Sequence, residues 1–165
     1  MKKILALLTG IVLSITILVA GGCNNSPEPV GLNQDETIKD STKVTIYLKA
    51  VEGEKHLLIY DSNDPDNAVV DTLTTLVVPG MKVVWRRADD SGIKSIKKVG
   101  PSERGEIMTE DASTILLYKR LRYRIPDDEI EGDSLQKYEI VIKDKDGNEW
   151  DPIDPYLKIP PEVDD

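Results

Sequence analysis

The chain holds one histidine and one cysteine among 165 residues, against 30 acidic and 21 basic side chains. His56 is the sole imidazole. As a general base it would need a partnered nucleophile, and neither a GxSxG elbow nor an HExxH pair occurs anywhere. Placed in "KHLLIY", it reads as an exposed histidine at the start of a strand. Carboxylate pairs such as Asp89-Asp90 and Asp127-Asp128 are numerous, but sequence neighbours on a loop point apart and most such charges are solvated. These residues point to a protein that is not an enzyme. Calcium is the metal whose oxygen ligands acidic turns provide. "DKDGNEWDPIDP" opens like an EF-hand loop with Asp144, Asp146 and Asn148, but Glu149 stands where glycine is required and Pro155 where a bidentate glutamate is required. Asp146-Gly147 is accounted for by a hairpin turn, with irregular calcium binding as the alternative.

Charge is unevenly spread. Residues 23–81 carry 4 basic and 10 acidic side chains, residues 82–124 carry 11 and 6, and residues 125–165 carry 4 and 14. Arg122 and Arg124 share one side of a strand and Arg86-Arg87 end another, so the basic middle has two readings. In the favoured one these arginines pair across strands with acids of the C-terminal segment; in the other they form a binding face for an anionic partner such as a polysaccharide or lipopolysaccharide. Trp85 alternates with apolar positions and is expected inside. Trp150, in an acidic turn, reads as a platform for a partner or a sugar, with a core plug as the alternative.

The elements that must carry these residues begin after a processing segment. Met1-Lys2-Lys3, an apolar run from Ile4 to Ala20 and Gly21-Gly22-Cys23 make a secretory signal. Small residues running into a cysteine resemble the bacterial lipoprotein signal, in which cleavage precedes an acylated cysteine; Ala20 stands where leucine is usual. The resemblance implies a signal peptide over 1–22 and a lipid on Cys23, which also explains a lone cysteine in an exported chain. An uncleaved anchor is one alternative, since 17 residues from Ile4 to Ala20 just reach the length that spans a bilayer, and ordinary cleavage without a lipid is another. Acyl chains would hold the domain on the membrane, facing out of the cytoplasm. Asn24 in place of aspartate implies the outer membrane where the host has two. Loss of Lys2 and Lys3 takes the formal charge from −9 to −11, which argues against nucleic acid as a partner.

Residues 23–42 are polar and Pro/Gly-containing and read as a flexible tether. From Lys43 to Pro161 about 120 residues suffice for one core, and residues 162–165 form an acidic tail. Period-two alternation recurs: Val44, Ile46 and Leu48; Met81, Val83 and Trp85; Leu121, Tyr123 and Ile125; Tyr138, Ile140 and Ile142. "KHLLIY", "AVVDTLTTLVV" and "YLKI" supply further strands, and "SNDPDN", Pro79-Gly80, "ADDSG" and "KDKDGN" supply turns. "RGEIMTEDASTILLYKR" holds either one short helix or a long crossover. The expected fold is all-β: an antiparallel Greek-key β-sandwich of seven to eight strands.

Within that pattern "VVPGMKVVWRRADDSGIKSI" resembles the cupredoxin sequence of Pro-Gly turn, apolar strand ending in an aromatic, and polar loop before the first copper-binding histidine. "KYEIVIKDKDGNEWDPIDPYLKI" is similar to that family's last two strands. The resemblance covers most of residues 70–159 and implies a cupredoxin-like fold. The ligands depart from it. Ser95 or Ile96 stands near the expected histidine, and the last two strands hold no cysteine, histidine or methionine, whereas a blue-copper site needs two imidazoles and a thiolate. Neither a metal site nor a cofactor is expected. The sequence implies a copper-free, membrane-tethered binding or accessory module of the cell envelope, its partner an envelope protein or polysaccharide. A calcium-dependent glycan-binding protein is the alternative.

Overall fold

The computed structural model describes residues 38, 40–51, 53–103, 105–115, 119–128, 130 and 132–161. Cys23, the signal, most of the tether and the acidic tail therefore lie outside the described residues. Ten strands form two sheets. They are β1 Lys43–Ala50, β2 Leu57–Asp61, β3 Val69–Val70, β4 Thr74–Leu76, β5 Lys82–Arg87, β6 Ile93–Pro101, β7 Ser113–Ile115, β8 Arg120–Arg124, β9 Leu135–Asp144 and β10 Tyr156–Lys158. One sheet has the order β3-β2-β1-β5-β8-β7 and the other β4-β10-β9-β6.

The alternation read from sequence selects the inner faces. Val44, Ile46 and Leu48 of β1, Val83 and Trp85 of β5, and Tyr138, Ile140 and Ile142 of β9 are all inaccessible to solvent. Leu121 and Tyr123 of β8 are buried while Arg120, Arg122 and Arg124 between them are exposed. A strand with one apolar face has only one register that buries it, since a one-residue slip would turn every inward side chain out. Trp85 and Tyr138 meet between the sheets. Their rings lie edge to face with centroids 5.6 Å apart, and the indole N–H donates to the phenolic oxygen at 3.2 Å. Burial pushes the Tyr138 hydroxyl far above the ordinary phenol range, so it stays neutral and available as the acceptor.

The fold is the all-β sandwich expected, but with ten strands among the described residues where the sequence pattern predicts seven to eight, because short strands such as β3, β4, β7 and β10 extend the sheets, and with two further departures in detail. Both sheets are mixed, because β1 runs parallel to β5 and β4 parallel to β10. The chain visits the other sheet between such strands, and a crossover of that kind permits parallel pairing where a hairpin does not. "AVVDTLTTLVV" is broken: Asp71 takes a φ of 62°, turning the chain out of β3 and into β4 of the other sheet. Of the two readings of residues 104–120, the crossover is the one found: no helix occurs among the described residues there, and the segment leads to β7. Gln136 satisfies the backbone of this segment at Met108. Its side-chain amide accepts from Met108 N at 2.7 Å and donates to Met108 O at 2.8 Å, while Ile107 and Met108 enter the core. The approach is close: a Cβ on Gly105 would lie 2.2 Å from the Gln136 amide carbon.

Three stability measurements follow from these contacts. Tyr138→Phe leaves a buried indole N–H without an acceptor, and Gln136→Ala strands two backbone groups of Met108. Each should lower the unfolding free energy in urea by about 1–3 kcal/mol or more. Among the described residues Thr75 Oγ1 is the one buried side-chain polar atom without a partner. Thr75→Val should accordingly leave stability unchanged or raise it by about 1 kcal/mol.

Candidate functional site

Because Trp85 points inward, Arg86 must point out, and the same alternation sends Arg120, Arg122 and Arg124 out from β8 and Lys43, Tyr47 and Lys49 out from β1. Strand register assembles these into rows across the six-stranded sheet. Tyr60 lies opposite Tyr47, Tyr47 opposite Arg86, and Arg86 opposite Arg120. A second row places Lys43, Lys82 and Arg124 side by side. Like charges directly opposite in a sheet are destabilising. No outward position of β1, β5 or β8 holds a carboxylate.

Neutralisation is selective. Asp127 pairs with Arg124 at 3.1 Å, but among the described residues no carboxylate lies within ion-pair distance of Arg86, Arg87, Arg120 or Arg122. The acids of the C-terminal segment serve lysines of the four-stranded sheet instead. Glu139 pairs with Lys98, Asp154 with Lys137 at 2.8 Å, and Asp133 with Lys158 at 2.7 Å. Among the described residues the expected cross-strand pairing of arginines with C-terminal acids is not found; Arg124–Asp127 is a local pair three residues apart. Arg86 is instead ordered by aromatic rings, its guanidinium carbon 5.3 Å from the Tyr47 centroid and Tyr47 stacked on Tyr60 at 5.0 Å.

At one end of this face, where β5 finishes and β8 begins, the surface dips into a groove of about 590 Å³. Its walls carry Arg86, Arg87, Lys94, Lys119, Arg120 and Lys145, against only Asp89 and Asp90. The loop after β5 is held rigidly: Ala50 N donates to Ser91 O at 2.7 Å and Lys145 N to Gly92 O at 2.9 Å. Asp90 and Gly92 take positive φ there, a conformation that Asp tolerates and Gly accepts freely. Arg87 Nη1 donates to the carbonyls of Ile93 and Lys94, which fixes the half-buried guanidinium without neutralising its charge.

His56 is paired rather than isolated. Asp71, 15 residues later, accepts from its ring at Nδ1 and from Leu57 N at 2.7 Å. This pair borders a smaller pocket with Asp151 and Asp154. Sequence offered a weak clue in "VVDT", an Asp ending an apolar run, but nothing joining it to position 56.

The other candidates are placed in structural roles. Trp150 is buried, correcting its reading as a platform; its indole N–H donates to Asp144 at 3.3 Å. Asp144 also accepts from Asn148 N at 2.8 Å and Asn148 Nδ2 at 3.1 Å. Partial desolvation would raise its pKa, and these combined hydrogen bonds outweigh that and lower it. Gly147 completes the turn with a φ of 93°. Ile96 is fully buried in β6 and Ser95 is half-buried. Among the described residues no group of three or more His, Cys, Asp or Glu is placed to hold a metal ion.

The hydrogen bond from Asp71, with its charge, raises the His56 pKa above the ordinary 6.5. A raised histidine stabilises the fold fully below the unfolded value and loses that contribution as pH climbs through the folded one. The melting midpoint should therefore fall as pH rises from the ordinary 6.5 through the raised folded value, and His56→Gln should remove that part of the fall. No protein-family model matches the chain, and no curated protein matches it.

Proposed function

We propose that the chain is a copper-free, membrane-tethered module of the cell envelope that acts by binding and not by catalysis. On this reading it is anchored through a lipid on Cys23 and carries a cupredoxin-like sandwich. The outer membrane is its place in a host with two membranes. The observation that supports it best is the outer face of the six-stranded sheet. Arg86 stands directly opposite Arg120, and neither meets a carboxylate among the described residues. Such an arrangement costs stability in the free protein and is relieved when an anionic partner, an envelope protein or polysaccharide, supplies the missing charge.

The calcium-dependent glycan-binding alternative has less support. Asp144, the first oxygen donor it would use, already accepts hydrogen bonds at both carboxylate oxygens. The two readings separate in a melting experiment on the mature chain with Cys23→Ser, stripped with EDTA and returned to millimolar Ca²⁺ or Cu²⁺. A ligand at a hundred times its dissociation constant adds about 2.7 kcal/mol. No shift is expected; a calcium shift abolished by Asp144→Ala would replace the proposal with the alternative. For the anchor, labelled fatty acid should enter the full chain and fail to enter the Cys23→Ser variant. Equal labelling of both would remove the tether from the reading.

A further inference from the structure

We propose that the groove between the end of β5 and the start of β8 is an oxyanion subsite that takes the charged substituents of an acidic polysaccharide. This rests on the reading of the protein as a binding module and names the class of its ligand. Three observations converge. The groove walls carry six cationic side chains and two anionic ones, a local excess of positive charge in a chain whose formal net charge is −9. Arg87 is pinned through Nη1 to two backbone carbonyls, so its remaining N–H donors are held in place without a counter-ion among the described residues. A guanidinium fixed in this way is suited to planar carboxylate or tetrahedral phosphate and sulfate oxygens. The groove also has the volume of a small-ligand cleft.

Its continuity with the sheet selects a polymer. Arg86 and Arg120 belong to the groove wall and also to the cross-strand row that continues through Tyr47 to Tyr60. A chain seated in the groove can run onto the sheet face past Arg120 and Arg86, with the Tyr47 and Tyr60 rings next in the row. A planar membrane surface fits less well. Arg87 is half-buried within a groove, where a single chain can reach it and a plane of headgroups cannot, and the acidic remainder of the protein is repelled by anionic lipid.

The test uses the mature chain with Cys23→Ser, which keeps every described element and lacks the lipid. Affinity is measured by calorimetry for polygalacturonate, with carboxylates, and dextran sulfate, with sulfates. Neutral dextran and vesicles of anionic phospholipid are run beside them. Lys119→Glu with Arg120→Glu changes two exposed groove residues and places an acid opposite Arg86; Arg122→Glu alters the face outside the groove. The expected result is binding to one or both acidic polymers, weakened tenfold or more by the double variant, with its melting temperature unchanged or raised. Arg122→Glu should have a smaller effect. The stronger of the two polymers identifies the substituent. Affinity unchanged in the double variant but lost in Arg122→Glu would overturn the groove and leave the binding module standing. Equal binding to neutral dextran, or tighter binding to the vesicles, would overturn the ligand class. No binding to any of the four would remove the subsite, and the anionic-partner reading would then need a protein ligand.

Discussion

The hydrogen-bonded contact between Trp85 and Tyr138 is the constraint on which the rest of the molecule depends. Each residue sits on a central strand of its sheet, β5 between β1 and β8, and β9 between β10 and β6. A large ring from each layer therefore fills the middle of the sandwich. The rings meet edge to face and satisfy the indole N–H without water. An indole placed one residue earlier or later would point to solvent, which couples strand register to core composition.

That coupling builds the outer face. With Trp85 inward, Arg86 is outward, and pairing of β5 with β1 and β8 decides its neighbours. Tyr47 arrives on one side and Arg120 on the other, the first ordering the guanidinium and the second opposing it. The core thus sets the geometry of the charged surface by alternation. The same reasoning extends to the groove. Arg87 follows immediately, at the point where β5 ends, and reaches the carbonyls at the start of β6, so it belongs to the edge between the sheets.

The acidic residues show how connectivity apportions charge. Asp133, Glu139 and Asp154 lie on or beside the four-stranded sheet and neutralise its lysines. Most arginines of the basic middle lie on the opposite layer, out of their reach. Long-range charge balance within one chain can therefore be close to even in places while one face stays strongly cationic. A pairing rule applied to segments along the sequence misses this, because the two layers are separated by the core and not by distance along the chain.

Period-two alternation determined much by itself. Apolar residues at every second position of "KVTIYL", "LRYRI" and "YEIVI" have only one way to leave water in a strand, and the structure buries those side chains. The all-β class and the inward Trp85 were legible for that reason, as was the outward direction of Arg122 and Arg124. Tertiary structure alone decided the rest. Parallel pairing of β1 with β5 depends on which sheet each crossover visits, and no local pattern records it. Trp150 is polar in its sequence surroundings and buried in space, because the hairpin folds its indole onto Asp144. His56 and Asp71 meet through a left-handed turn that ends β3. The groove gathers residues from the ends of β5, β6, β8 and β9, so its charge exists only once strands distant in sequence share one edge. Alternation is a property of neighbours, whereas a site is a property of strands brought together by packing.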